Sequence, residues 1–494
     1  MQSRTQDLVF PAAAEFVQRR WRLILATSAG VLLPCFWHRH IEAGDLGSHV
    51  YNAWLAELVR RGQLPGLWVV PQWNNVAFDL MLSAFRSVFA WVWAERLAVS
   101  LCVLIFFWGV FALVGAATRH APLLLIPLIA IISYGWTFEQ GFINYYLSLG
   151  LSFFALAIVW RGQGRERLVA LALVPLITLA HPLGAAWLLG AGAYVLAAER
   201  FKRYRALVFA AATLVIAFIG LYVRHHFLLY PARHALYLYN GADQLVLFSR
   251  AYYLLVLATF FPAMIALSID LWERRQNAES IEAGSILLQL YLVVQCLVLV
   301  LPYGVLLPEY NAPLGFLPHR LTTLSAVMFC ALLGIMRPRK WHLAAYSAAA
   351  LMFFSLLYRD TGIINHLEEQ SEKLVAGLPF GSRVVFTIND RGLRLFIAHF
   401  ADRSCINHCF SYGNYEASTG QFQIRASPGN GVVMTDFSDV TQMQNGQYEV
   451  KASDPPVYEI YQCGFKGREL CGRPLVAGEK NNLPSPEASP FAAR

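Results

Sequence analysis

The stretch that decides the fold is His38-Arg-His-Ile-Glu-Ala-Gly-Asp-Leu-Gly-Ser-His49. A helix-like run follows it, then Gly62-Gln-Leu-Pro-Gly66 and Trp73-Asn-Asn-Val-Ala-Phe-Asp-Leu-Met-Leu-Ser-Ala-Phe85. An apolar run, residues 22–38, leads directly into it, and a long series of further apolar runs comes after residue 95. Acidic and imidazole side chains therefore stand where a membrane face meets water. Asp45 heads the run 46–61, and positions 45, 49 and 52 fall on one helix face, so Asp45, His49 and Asn52 can point into one cavity. The plainer alternative is an N-cap at Asp45 or Ser48, with His49 and Asn52 solvated. Beyond them Val76, Leu80, Met81, Phe85 and Phe89 recur at helical spacing, the pattern of a helix lying in the membrane interface.

Working outward, the 494-residue chain is 57% hydrophobic and only 14% charged, with a mean hydropathy of +0.46. Those values predict a polytopic α-helical membrane protein. Apolar runs of near bilayer length fall at about 22–38, 96–117, 121–136, 142–160, 168–180, 183–198, 206–223, 246–270, 284–303, 321–336 and 341–357, about eleven spans. The pair flanking His181-Pro182 also reads as one re-entrant unit. Residues 1–20 are too polar for a cleavable signal peptide, so the first span is expected to stay as an anchor.

The net charge of +8 is carried in short clusters between the apolar runs, which points to topology and away from nucleic acid. With residues 1–21 in the cytoplasm, the inner connections hold Arg19, Arg20 and Arg22, Arg119, Arg161, Arg165 and Arg167, Arg200, Lys202, Arg203 and Arg205, Arg274 and Arg275, and Arg337, Arg339 and Lys340. The opposite connections 134–143, 181–182 and 304–318 contain no Lys or Arg, and only the long outer loops 38–95 and 224–250 carry some. An odd span count places the tail in a periplasm-like compartment.

After residue 357 the composition changes. An amphipathic helix is expected over 362–376, strands over 383–388, 432–434, 447–451 and 457–462, and a short helix after Asn389-Asp-Arg-Gly. These make a small extracytoplasmic α/β domain over 358–480, behind a transmembrane body of 22–357 and ahead of a disordered tail, 481–494. Cys35, Cys102, Cys296 and Cys330 sit singly in apolar runs as packing residues. Cys405, Cys409, Cys463 and Cys471 are an even number in an oxidising setting, for which disulfides rank ahead of a zinc site at Cys405-Ile-Asn-His-Cys409.

The polar side chains of the membrane body gather at the outer ends: Glu42, Asp45 and His49 in the first loop, then Glu139 and Asn144, His181, Arg224 with His225 and His226, and finally Glu309, His319 and Arg320. Ion-coupled transporters place such groups near the midplane. Groups held at one surface suit an enzyme whose substrates keep lipid tails in the bilayer and reactive headgroups at its face.

A first span, an outer loop with acids near its start, a helix ending in Gly-x-Leu-Pro and an interfacial helix together resemble the GT-C fold of membrane glycosyltransferases. The segment Phe138-Glu-Gln-Gly-Phe-Ile-Asn-Tyr-Tyr-Leu-Ser-Leu-Gly150 is similar to one that recurs in bacterial proteins of that superfamily. The resemblance covers roughly residues 20–357. It implies an inverting transferase of the bacterial inner membrane and cell envelope, a polyprenyl-phosphate-linked sugar as donor, an unidentified acceptor, and an acid of the first loop as general base. Many relatives carry adjacent or alternating acids there, whereas Ala43-Gly44 separates Glu42 from Asp45, so a divalent metal is possible without support from a paired-acid motif and no cofactor is expected.

An acceptor hydroxyl must lose its proton as it attacks, and a carboxylate within reach assists. Asp45 is the first choice, Glu42 the second, with His49 beside them. For the phosphate, His319-Arg320 ranks ahead of Arg224 with His225 and His226, interfacial snorkelling being the alternative for Arg320. Glu139, Asn144, His181 and Glu309 are candidate cavity-lining residues, and Trp68, Trp73 and Trp136 stack on a sugar or anchor the interface. The competing classes are a flippase or exporter of lipid-linked sugars and a non-enzymatic membrane scaffold.

Overall fold

The computed structural model describes residues 9–230, 239–276, 282–336, 340–388, 395, 397–464 and 467–481. The fold is mostly helical, with a small strand-bearing region near the C-terminus. In lipid every backbone N–H and C=O must be paired within its own segment, so apolar runs of this length fold as helices. Among the described residues seven helices are long and apolar enough to cross a membrane: Trp91–Thr118, Ile143–Arg161, Pro182–Arg200, Lys202–His226, Ala251–Arg274, Leu317–Gly334 and Trp341–Ala376.

The other four of the eleven expected spans fall short of that length or apolarity. The run 121–136 is a 3-10 turn at Leu123–Leu125 followed by the short helices Ile126–Ser133 and Trp136–Glu139, interrupted where Gly135 is extended. The run 168–180 divides into Arg165–Ala172 and Val174–Ala180, with Pro175 at the start of the second piece. The first run is divided between Val9–Leu32, whose middle carries Arg19, Arg20 and Arg22, and the 3-10 turn Leu33–Cys35, and most of 284–303 forms the helix Glu282–Val300. The span ending at 357 and the amphipathic helix expected from 362 are one unbroken helix, Lys340–Ala376, of 37 residues. At 1.5 Å per residue it is about 55 Å long, far beyond the roughly 30 Å of hydrocarbon, so its second half projects from the bilayer as a rigid post.

Around that post the last third of the chain builds a four-stranded sheet in the order Phe410–Ser411, Arg383–Thr387, Val457–Cys463, Glu469–Leu475. The first two pairings are parallel and the last antiparallel. The strand expected over 432–434 does not form, and that over 447–451 is reduced to one isolated bridge, Glu449 to Lys480. The Asn389-Asp-Arg-Gly turn and nearly all of the tail 481–494 lie outside the described residues; Phe400–Cys405 is a 3-10 turn. Cys405 pairs with Cys409 and Cys463 with Cys471, as two disulfides.

The first outer loop and the C-terminal region are knitted together. Leu67–Val69 pairs antiparallel with Ile424–Ala426, and the amide of Ser411 donates to the Tyr51 hydroxyl at 3.0 Å. Gly47 lies so close to the carbonyls of His399 and Phe400 that any Cβ would collide with them. At the centre the buried Arg403 guanidinium donates to Glu95 Oε1 (2.6 Å), to both oxygens of Glu368, to Glu42 Oε2 (3.4 Å) and to the carbonyl of Ile41 (3.0 Å). Four distant segments meet at one cation.

Removing one partner of a buried ion network typically costs about 3–5 kcal/mol, because it strands the opposite charges. Arg403→Met is therefore expected to lower the melting temperature of the purified protein and to open the C-terminal region to limited proteolysis. An unchanged melting curve and cleavage pattern would show that this cluster does not hold the two parts together.

Candidate functional site

Connections at one end of the helical body converge on the start of the helix Leu46–Arg60. Gly44 donates its amide to the carbonyl of Glu139 (2.8 Å) and Asp45 to that of Gln140 (3.1 Å). Gly141 closes this contact at φ +83°, a conformation that suits glycine, and a Cβ there would strike the Asp45 amide. The backbone of Asp45 is thereby fixed while its carboxylate caps no helix amide and, among the described residues, accepts no side-chain hydrogen bond. The side chain is half-buried, so it stays reachable. Burial raises its pKa above the usual aspartate range, against the pull of His399, His49 and Arg320. A carboxylate with raised basicity, held but unpartnered, is equipped to accept a proton.

One turn along, His49 Nδ1 donates to Asp79 Oδ1 at 3.1 Å. Burial disfavours its charge, but Asp79, Asp45 and Glu416 outweigh that and lift the imidazole to about 9. Asp79 is aimed by Asn144, whose Nδ2 donates to Asp79 Oδ2 (3.0 Å) and to the carbonyl of Asn75, while its Oδ1 accepts the amide of Phe78. Asn144 thus anchors the helix Ala77–Arg86, which buries Phe78 and Leu82 and leaves Leu80 outward.

Arg320 reaches the same cleft from the first turn of Leu317–Gly334, with its guanidinium 3.8 Å from the Phe142 ring centre. Its Nη1 is 3.4 Å from His181 Nε2. The Leu183 amide donates to His181 Nδ1, and burial together with Arg320 drives the ring's pKa far down, so the neutral ring carries its proton on Nε2. Two donors consequently face each other, while Arg320 Nε has no partner among the described residues. Such a pair is satisfied by an anion lodged between or beside them. His319 turns away from it, among the rings of Trp136, Tyr239 and Tyr303.

The C-terminal region supplies the remaining wall. His399 Nδ1 faces Asp402 Oδ2 at 3.3 Å, and Asp402 also accepts from Ser411 Oγ (2.7 Å) and Asn414 Nδ2 (3.0 Å). The Tyr415 ring lies 4.6 Å from that of His399.

Of the other expected residues, Glu42 is committed to Arg403 and to Asn365, whose Nδ2 donates to it at 3.0 Å. Burial, then Glu368, raises its pKa strongly, so it is a buried structural acid rather than a reachable base. Glu139 is buried, its carbonyl holding the Asp45 loop. Arg224, His225 and His226 end their helix exposed, His226 stacking on Tyr222, and contribute nothing to the interactions of the cleft. Glu309 is exposed on a loop whose Asn311 pairs with the carbonyls of Ser418 and Thr419. Trp136 is buried, whereas Trp73 is 82% exposed. Sequence reasoning gave no role to Asp79, His399, Asp402, Tyr415 or Glu416.

Below the cleft an apolar cavity of about 150 Å³ opens between the helices Ala251–Arg274, Leu317–Gly334 and Trp341–Ala376, lined by Leu128, Leu255, Phe260, Phe329 and Tyr346. Its outer end reaches Gln244, whose Nε2 donates to the carbonyl of His319. Among the described residues no group of three or more His, Cys, Asp or Glu is placed to hold a metal ion.

The His49–Asp79 pair makes stability depend on pH in a defined direction. An imidazole raised from an ordinary value near 6.5 to about 9 contributes fully below the lower value, and the contribution is lost as pH rises through the upper one. The melting temperature is expected to fall between pH 7 and 10 more steeply in the native protein than in Asp79→Asn. Equal slopes would mean that the pair is not charged in the folded state.

Comparison with protein-family models, curated proteins and solved structures returns no match to the chain, so its chemistry has to be read from its own geometry.

Proposed function

We propose that this chain is an inverting membrane glycosyltransferase, GT-C-like in architecture, that moves a sugar from a polyprenyl-phosphate donor to an extracytoplasmic acceptor. The observation that carries the reading is Asp45: a held, half-buried carboxylate without a hydrogen-bonded partner, in the electrostatic field of Arg320. The acceptor hydroxyl attacks the anomeric carbon and gives its proton to Asp45. The bond from that carbon to the phosphate oxygen breaks, and its electron pair leaves with the polyprenyl phosphate. Arg320 Nη1 and His181 Nε2–H are suited to the phosphate oxygens, where fixed donors stabilise growing charge. The apolar cavity beneath has room for a few carbons of a lipid chain whose headgroup sits at the cleft.

The two disulfides in the region facing the cleft favour an oxidising compartment, in keeping with a bacterial inner-membrane protein whose C-terminal region is periplasmic. The same orientation puts the Arg-rich connections in the cytoplasm.

The test uses the full chain in proteoliposomes with a labelled polyprenyl-phosphate sugar and a membrane extract as acceptor source. Asp45→Asn is expected to lose roughly a hundred- to ten-thousand-fold in transfer at an unchanged melting temperature. Arg320→Ala is expected to weaken donor binding more than acceptor binding. Undiminished transfer in Asp45→Asn removes the base and with it this reading.

A further inference from the structure

Two residues after Asp45, the helix Leu46–Arg60 meets the C-terminal region, with Gly47 against the carbonyls of His399 and Phe400. One residue further, Ser48 Oγ accepts from Asn414 Nδ2 at 2.9 Å, and the same nitrogen donates to Asp402 Oδ2 at 3.0 Å. His399 and Asp402 are thereby seated on the first turn of the helix that Asp45 heads. The imidazole is 5% exposed and the carboxylate 2%, so little water screens what the pair does to its surroundings.

Hydrogen bonding defines the state of the imidazole. Asp402 accepts from Ser411 Oγ at Oδ1 (2.7 Å) and from Asn414 at Oδ2, so its carboxylate is fixed in direction and offers acceptors only. His399 Nδ1, 3.3 Å from Oδ2, is therefore the donor of that pair. The other ring nitrogen, Nε2, lies 3.3 Å from Gln444 Nε2. A glutamine side chain presents an N–H to a bare ring nitrogen or, turned over, its oxygen to a protonated one. Gln444 suits both the neutral and the charged ring, so His399 changes its charge with no rearrangement beyond one amide. Tyr415, with its ring 4.6 Å away, covers the imidazole with an aromatic surface that tolerates a cation.

Among the described residues the titratable groups around Asp45 are His49 on its own helix, Arg320 from Leu317–Gly334, Glu139 in the turn that holds its backbone, and His399, Asp402 and Tyr415 from the C-terminal region. His49 is already balanced by Asp79, and Arg320 stands against His181 and the Phe142 ring. Burial raises the pKa of Asp45, and of the cations that oppose this His399 acts most strongly.

We infer that His399, aimed by Asp402, is a positioning residue for Asp45: its positive charge keeps the carboxylate ionised and ready to accept a proton. The electrostatic part stands on the geometry alone, whereas its use in turnover rests on the transfer reading. The charge extends the working range of the base toward acid. Without it, burial leaves Asp45 protonated where the native carboxylate is still ionised, and a protonated carboxyl accepts nothing.

The titration of Asp45 is measured without turnover, on full-length protein labelled with carboxyl-13C aspartate. Its NMR signal is assigned by its loss in Asp45→Asn. The midpoint is expected to move to higher pH in His399→Gln and in Asp402→Asn, and to return toward the native value in His399→Lys, which restores a cation. A variant that melts like the native protein decides. One midpoint shared by native protein and variants, or a shift to lower pH in His399→Gln, would overturn the proposal. Sugar transfer supplies the second readout. At about pH 6 it is expected to fall about tenfold in His399→Gln, the scale of one opposite charge on a carboxylate, and to match the native rate at about pH 9. An equal loss at every pH would mark His399 as merely structural and sink its positioning role. Undiminished transfer in Asp45→Asn removes the base assignment, while the titration still decides whether His399 sets the charge of Asp45.

Discussion

The structure depends on one buried cation. Arg403 draws together Glu42 from the first loop, Glu95 from the start of the first long span and Glu368 from the post-like helix. Three carboxylates around one guanidinium cannot all stay charged in a low-dielectric interior, because a net charge of minus two there is prohibitively expensive. Burial and Glu368 raise the pKa of Glu42 strongly, which favours its protonated form and reduces the net charge of the cluster. Buried ion networks of this sort add little net stability against an apolar alternative, but they define which arrangement is native. Here the arrangement in question is the seating of the C-terminal region on the first loop.

That seating determines the chemistry available at Asp45. Without the C-terminal region the carboxylate would face water and behave as an ordinary aspartate. With it, His399 and Tyr415 close one side, the 139–141 turn closes a second, and Arg320 with His181 forms a third. Desolvation strengthens every charge interaction in the cleft, and the same burial raises the basicity of the free carboxylate. The site is assembled from connections that are far apart in sequence and share one end of the helical body.

Local features of this arrangement could be read from the sequence. The spacing of Asp45, His49 and Asn52 on one helix face carried through to the structure because periodicity is a property of the backbone alone. The clustering of ionisable residues at one boundary pointed to Arg320 and His181 for the same reason. Proline and glycine cut two expected spans into pieces, since average hydropathy does not register a single break. The post-like helix was divided at residue 357 because its hydropathy falls there while its helical propensity does not. Asp79 is an acid in a helix whose apolar periodicity has a sufficient explanation without it, so only its tertiary partners His49 and Asn144 mark it out. Arg403, His399 and Glu416 carry no local signal at all; only the tertiary pairing gives them meaning.

The antiparallel pairing of Leu67–Val69 with Ile424–Ala426 joins positions more than 350 residues apart. A ribosome delivers the first of these strands long before the second, and Glu42 and Glu95 likewise emerge ahead of Arg403. Throughout that interval the loop has neither its strand partner nor its counter-ion. The helical body can insert span by span, but the cleft around Asp45 is walled in only after 399–426 has been made and seated. A chain stopped short of those residues carries the first loop without the wall that desolvates its carboxylate.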